Sequence, residues 1–469
     1  MKHFYLTLLL LGCGIMWSHA TDYFTITAEA PSAKISLTNV GSGAEKPSLQ
    51  VSTDGGLTWS TFVAGTSTVT LASAGDKALF RGTNPQGFNR DYAKGYKFAA
   101  TANISVSGNI MTLIDGEAPS SIIAATGCFA NLFNGCTRLV SAAGLQLPAT
   151  RMASFIYSRM FFGCTALPAP PPQISATTIA ENGCLDMFRT CRALTTIPAI
   201  AVDTIGESGC ENMFMGCTSL TTVQNIRAKV IGIKGCSAMF SSCTSMTTAP
   251  AVNDVVSIGE RGCFSMFASC TALSSVPDLE AGSVGEAAYR EMFNKCAALT
   301  TAPQIKATVI GKYACYKMYS GCTSLVSSPD LTAPNVSNNA YQEMFAECGA
   351  LTAAPAIAAK VIGISTCNRT FYNCKKLTTA QTAFPATAVS DSGCYSMFEG
   401  CVGLTRALPI SDRRSNRPCR HARDGLRLRR DVSQLLQTDI GLRYTARRHN
   451  RQLCLSVYVR LMLRACCRS

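Results

Sequence analysis

The sequence predicts an α/β solenoid, with one short strand and one short helix in each coil of about 26 residues, preceded by a small all-β domain. Three observations carry this. A unit recurs along the middle of the chain at a fixed period; its apolar residues fall at helical spacing; and the stretch before it alternates apolar and polar residues between turn-forming clusters.

The unit is clearest in Cys184-Leu-Asp-Met187-Phe188-Arg-Thr-Cys191-Arg-Ala-Leu194-Thr-Thr-Ile-Pro198, and it returns at 236–250, 263–277, 315–329 and 394–408. Its second cysteine stands at Cys136, Cys164, Cys191, Cys217, Cys243, Cys270, Cys296, Cys322, Cys348, Cys374 and Cys401, in steps of 26 to 28. A period of this size marks coils that bury their apolar faces only against their neighbours. Such an architecture offers an extended surface rather than a catalytic cleft.

Within the unit, Cys184, Met187, Phe188 and Cys191 sit at i, i+3, i+4 and i+7, the spacing of one helix face. This predicts an amphipathic helix of about two turns, too short to stand undocked. Leu194-Thr-Thr-Ile-Pro198 is β-prone and ends at proline, so it predicts the strand. A Val/Ile-Ile-Gly element closes the unit at Gly206, Gly232, Gly259, Gly311 and Gly363, where glycine is expected to allow the turn into the next helix. The expected core ladder is Met187, Phe188, Met213, Phe214, Met239, Phe240, Met266 and Phe267 with the cysteines from Cys191 to Cys374.

An Ile-Gly turn, then Cys or an aromatic residue, Met-Phe, Cys-Thr-Ser/Ala-Leu and a Pro-terminated strand resembles the BspA-like leucine-rich-repeat family of bacterial surface proteins. The resemblance spans about residues 120–408, in eleven units. It implies a leucine-rich-repeat solenoid on an exported protein, with adhesion to a protein or glycan as the usual role.

Nineteen of the 24 cysteines lie in the repeats. Cysteines seven apart on a helix are about 10 Å apart, beyond disulfide reach. The first cysteine of the unit becomes Tyr157, Tyr289 and Tyr341 in three units, and tyrosine can line a core but cannot form half of a bridge. A ladder of buried thiols is therefore expected, with bridges between neighbouring units as the alternative. Zinc is disfavoured by the absence of CxxC pairs and by a total of four histidines.

Lys2 followed by an apolar run to Met16, then Ser18-His19-Ala20, reads as a signal peptide over residues 1–20. Leu10-Leu11-Gly12-Cys13 resembles a lipobox, which makes lipidation at Cys13 the alternative and the only membrane attachment expected. Residues 21–117 carry alternating runs such as Phe24–Thr27, Lys34–Leu37, Thr68–Leu71 and Ile104–Val106, predicting a β-sandwich that caps the first coil; the solenoid is assigned 118–408. Ser52, Asp54, Gly56, Thr58 and Trp59 match an Asp box, a hairpin motif found in sialidases, where it is structural and remote from the chemistry. One copy suggests a carbohydrate-processing enzyme only as an alternative.

Residues 406–469 hold 16 arginines, no lysine and four acids. The remainder of the chain, with 26 basic against 24 acidic residues, is nearly neutral. An Arg-rich tail would ordinarily suggest nucleic acid, but here it reads as frameshifted sequence over 409–469, and no nucleic-acid partner is expected. Read one base further on, the codons of residues 425–442 admit Met-Phe-x-x-Cys-x-x-Leu-Thr-Ser-Ala, and Asp431-Val432 allow only Met or Thr at the methionine. Residues 458–463 admit Met-Phe-Ala-Ser-Cys, 27 positions after the previous restored cysteine, and Met462-Leu463 force that cysteine. A truncated, non-functional product is a further alternative.

His3, His19, His421 and His449 lie outside the repeats and the β region, and no phosphate-binding glycine motif occurs. The sequence nominates no catalytic residue, cofactor or metal site. It points to an exported, non-enzymatic binding scaffold whose Thr/Ser-rich segments (Thr195-Thr196, Thr221-Thr222, Thr247-Thr248, Ser274-Ser275, Thr300-Thr301) present a hydroxyl ladder.

Overall fold

The computed structural model describes residues 22–116, 125–380, 385–390 and 392–404. The signal segment, Cys13, the expected boundary at 117/118 and the Arg-rich tail lie outside them.

The N-terminal region is two packed sheets. Strands β1 (Phe24–Ala28), β3 (Ser48–Ser52), β4 (Ser60–Val63), β6 (Lys77–Gly82), β8 (Ile104–Asn109) and β9 (Leu139–Gln146) form one, in the order β4-β3-β6-β1-β8-β9. Strands β2 (Ala33–Asn39), β5 (Thr68–Leu71) and β7 (Tyr96–Ala100) form the other, in the order β5-β2-β7. Alternation drives the packing: Phe24, Ile26 and Ala28 of β1 are buried while Thr25 and Thr27 between them are not. Phe98 of β7 meets Phe24 and Phe80 of the facing sheet at centroid distances of 5.4 and 5.2 Å.

The solenoid begins inside this sheet. β9 follows Cys136 in the first coil and pairs in parallel with β8, the one parallel pairing among these nine strands. Phe133 of the same coil lies 6.1 Å from Phe24 and 5.9 Å from Phe98, and the Phe98 amide donates to Leu132 O at 2.8 Å. Sandwich and first coil thus share one apolar core.

Two expectations for the coil are overturned. The Cys-x-x-Met-Phe-x-x-Cys segment is not an α-helix; the only helix among the described residues is the 3-10 turn Ile110–Leu113. The segment is a run of linked β-turns that divides its donors. Leu185, Met187, Arg189 and Cys191 donate to the carbonyl three residues back, while Cys184, Asp186, Phe188 and Thr190 donate to Gly209, Glu211, Met213 and Met215 of the next coil at 2.8–3.0 Å. An α-helix would keep every one of these bonds to itself. A turn ribbon repeating every four residues brings i, i+3, i+4 and i+7 to one side, as a 3.6-residue helix does, so the apolar spacing does not separate the two.

The ribbon requires a left-handed residue at each turn. Asn182, Asp186 and Thr190 have φ of 53°, 54° and 61°, and the third of these columns is glycine at Gly135, Gly163, Gly216, Gly321 and Gly400. For a residue with a Cβ this conformation costs about 1–2 kcal/mol. Donation from coil to coil offsets it.

The second correction concerns the strand. The continuous parallel sheet is built by the Ile-Gly element: Thr178–Ile179, Thr204–Ile205, Val230–Ile231, Ser257–Ile258, Ser283–Val284, Val309–Ile310 and Asn335–Val336 stack in register, each a two-residue strand. The Leu-Thr-Thr-Ile-Pro segment contributes only isolated bridges, such as Thr248 to Ser275 and Thr301 to Ser327. The Ile-Gly glycines are also not there for an unusual φ, since none of Gly206, Gly232, Gly259, Gly285 and Gly311 is left-handed. A Cβ on Gly232 would lie 3.1 Å from Gly206 C, and one on Gly311 would lie 2.6 Å from Gly285 C. At these five positions glycine lets one backbone rest closely on the next, while Ala180, Ser337 and Ser390 stand at the same position in other coils.

Candidate binding face

The inward columns form the spine that holds the surface. Phe133, Phe161, Phe188, Phe214, Phe240, Phe267, Phe293, Tyr319, Phe345, Phe371 and Phe398 stack coil upon coil, with centroids 5.1–5.6 Å apart and ring planes within 16°. Met187, Met213, Met239 and Met266 are fully buried beside them.

The second cysteine column does more than fill space. Each thiol donates to the carbonyl of the ring residue one coil back: Cys191 to Phe161 at 3.0 Å, Cys217 to Phe188 at 3.1 Å, Cys243 to Phe214 at 3.2 Å and Cys270 to Phe240 at 3.1 Å. Cys296, Cys322, Cys348 and Cys374 repeat the bond at 3.1 Å. The same carbonyl also accepts the amide of its own coil, as Phe161 O does from Cys164 N. A small apolar residue could not make this bond, which runs from Cys164 to Cys401. Burial pushes the Cys191, Cys270 and Cys322 thiols up to about 12.

All 19 cysteines among the described residues are free thiols. Tyr157, Tyr289 and Tyr341 occupy the first cysteine column as buried rings. Among the described residues no cluster of three His, Cys, Asp or Glu side chains could hold a metal.

The Asp box closes on itself. Ser52 Oγ donates to Asp54 Oδ1 at 2.6 Å and accepts from the Gly56 amide at 2.8 Å. The Thr58 amide donates to Asp54 at 3.0 Å, and Trp59 Nε1 donates to Gly56 O at 3.1 Å. The Ser52 and Thr58 hydrogen bonds hold the Asp54 carboxyl well below the usual carboxylate range. Trp59 is wedged between Tyr23, 4.9 Å away, and the Arg81 guanidinium, 4.2 Å from its centroid. The motif thus spends its polar groups on its own turn.

The exposed columns lie on the outside. Thr195, Thr221, Thr222, Thr247, Thr248, Ser274, Ser275, Thr300 and Thr301 are exposed. Several hydroxyls donate back to the preceding coil: Thr195 to Pro168 O at 3.1 Å, Ser274 to Thr247 O at 3.2 Å, and Thr378 to Thr352 O at 3.2 Å. Their lone pairs and methyls are left for solvent.

Beside this ladder run ion pairs that bridge successive coils. Asp203 meets Lys229 at 2.8 Å, Arg227 meets Asp254 at 3.2 Å, and Glu280 meets Lys306 at 2.8 Å. The hydrogen bond between them lowers Asp203 and raises Lys229, and Glu280 raises Lys306 in the same way. Arg227, Asp254, Val255 and Glu280 line a shallow polar depression. These pairs lie 26 or 27 residues apart, one coil step, so the repeat spacing alone signals their complementarity. Along the turn ribbon Arg290 lies between the rings of Phe264, at 5.6 Å, and Tyr316, at 4.8 Å, and Lys317 covers Tyr316 at 5.2 Å. Asp186, almost wholly buried, bridges Arg159 and Arg189 at 3.2 Å each.

No family model and no curated protein matches the chain. Among solved structures, a leucine-rich repeat protein from Bacteroides ovatus ATCC 8483 is 16% identical, covering 58% of this chain and 79% of its own, with a TM-score of 0.27. A leucine rich cell surface protein from Faecalibacterium prausnitzii A2-165 is 21% identical, covering 51% and 65%, also at 0.27. A leucine-rich repeat protein from Eubacterium ventriosum ATCC 27560 is 13% identical, covering 66% and 92%, at 0.28. All three are leucine-rich-repeat proteins, the class the repeat resembles. At these scores the superpositions add nothing to what the coils themselves establish, which is a solenoid of stacked, near-identical coils on a β-sandwich.

Proposed function

We propose that this chain is an exported surface protein whose solenoid is a non-enzymatic binding scaffold for a protein or glycan. The observation that carries this is the register of the outer hydroxyl column: exposed Thr or Ser recurs in each coil from Thr195 to Thr301, on a backbone held by the stacked spine, with ion pairs between neighbouring coils over residues 203–306. A surface of repeated, hydrogen-bonding and weakly charged groups suits an extended ligand with a repeat of its own, and a glycan chain is the first choice. The self-satisfied Asp box offers no free carboxylate for the carbohydrate-processing alternative.

The test is a glycan and host-matrix array probed with the full chain under reducing conditions, followed by the triple variant Thr248→Lys, Ser275→Lys, Thr301→Lys. Saturable capture that falls at least tenfold in the variant supports the reading. Capture unchanged by the three lysines would move the site off the hydroxyl face, and no saturable capture of any glycan or matrix protein would overturn the proposal.

A further inference from the structure

Among the described residues, the last coil has no neighbour on its forward side. In every earlier coil the amides at the first-cysteine position, the second left-handed position, the ring position and the third left-handed position donate forward. In the preceding coil Cys367, Arg369, Phe371 and Asn373 donate to Gly393, Tyr395, Met397 and Glu399 at 2.7–2.9 Å. Their counterparts Cys394, Ser396, Phe398 and Gly400 have no acceptor among the described residues, whereas Tyr395, Met397, Glu399 and Cys401 make their own backward turn bonds. Among the described residues the Phe398 ring stacks on Phe371 alone, at 5.3 Å. Its carbonyl accepts the Cys401 amide, and among the described residues it receives no thiol, whereas every earlier ring-position carbonyl from Phe133 onward receives one from the following coil.

This edge specifies its occupant: four carbonyls at alternate positions, an aromatic ring, and a thiol three residues after that ring. The tail as translated contains no Met-Phe-x-x-Cys. Its codons read one base further on do. Across residues 427–435 they admit Gly-Cys-x-x-Met-Phe-x-x-Cys at the native spacing, and across 458–463 Met-Phe-x-x-Cys again, one 27-residue step later. The step from Cys401 to the first restored cysteine is 34 positions, longer than the others.

We infer that the edge formed by Cys394, Ser396, Phe398 and Gly400 is a docking surface for a further coil of the same repeat, and that the gene encodes this coil in the shifted frame. The inference does not depend on what the outer face binds. Two measurements on the full chain test it, neither involving a ligand. The first is the nucleotide sequence across codons 405–469, expected to encode Met-Phe-x-x-Cys twice in the shifted frame; if it does not, the inference fails. The second is amide hydrogen exchange in the chain as it stands and in a full-length version with the frame restored by a one-base change after codon 404. Protection of the four amides is expected to rise at least tenfold on restoration, while protection in coils 184–350 stays unchanged. Equal protection in both chains would show that the Arg-rich tail already covers the edge, and would overturn the inference. If the restored chain fails to fold, loss of protection throughout coils 184–350 would reveal it and equally count against the inference.

Discussion

The sandwich and the solenoid solve the same packing problem in opposite ways. In the sandwich each buried residue meets partners at unrelated positions: Phe24 packs on Phe80 and Phe98, with ring planes tilted by 44° and 42°, from strands far apart in sequence. In the solenoid each residue finds its own counterpart one coil on, ring upon ring and thiol upon carbonyl. The first arrangement needs a unique jigsaw; the second needs only that the unit fit itself. Nearest-neighbour coupling of this kind spreads stability along the chain, coil by coil.

Alkali should separate the two regions most sharply. Residues 22–116 contain no cysteine, whereas the solenoid buries a thiol or tyrosine in nearly every column position. A buried thiol raised above its ordinary value of 9.0 contributes stability that is complete below pH 9 and is lost as pH climbs towards the folded value, about 12 for Cys191. Once the unfolded chain is ionised, each such thiol removes about 1.4 kcal/mol per pH unit. Urea melts across this window, read by proteolysis with fragment masses, should show the solenoid lost first. A sandwich that fails before the coils would contradict the comparison.

Truncating a ring is the next largest effect. Phe240→Ala removes two stacking contacts and should cost about 3–5 kcal/mol, as should Phe80→Ala in the sandwich. The distinction lies in reach: Phe240→Ala should leave coils on either side protected as two separate units in native-state hydrogen exchange, while Phe80→Ala should loosen the sandwich as a whole. Glycine substitutions probe the two reasons for glycine. Gly311→Ala forces a Cβ to 2.6 Å from the Gly285 backbone and should cost about 1–3 kcal/mol. Gly216→Ala meets nothing closer than 3.5 Å but holds φ of 75°, and should cost about 1–2 kcal/mol by thermal melt.

The smallest effect should be favourable. Tyr319 stands in a column otherwise filled by phenylalanine, and its hydroxyl is buried with no partner among the described residues. Tyr319→Phe should stabilise by about 1 kcal/mol. A loss of stability would reveal a partner for the hydroxyl.

Much of this was legible from the chain. The period fixed which residues share a column, so the Met-Phe and cysteine ladders and the exposed hydroxyls could be placed by counting. The helix could not be, because Cys184, Met187, Phe188 and Cys191 satisfy a four-residue turn ribbon as well as a helix. The distinguishing signal was the glycine before the second cysteine, at Gly135, Gly163, Gly216, Gly321 and Gly400, unfavourable in a helix interior and required by a left-handed turn. The strand was misplaced because β propensity in Leu194–Ile197 says nothing about how near two backbones can come. That is set by the missing side chain at Gly206 and Gly232. The thiol bond to a carbonyl one coil away has no local signature at all.

Because those glycines let main chain rest on main chain, the pitch of the stack is set by the thickness of a polypeptide and not by any residue that faces outward. The exterior can therefore be rewritten freely while its graduations stay put, like a measuring rod that can be repainted without moving the marks.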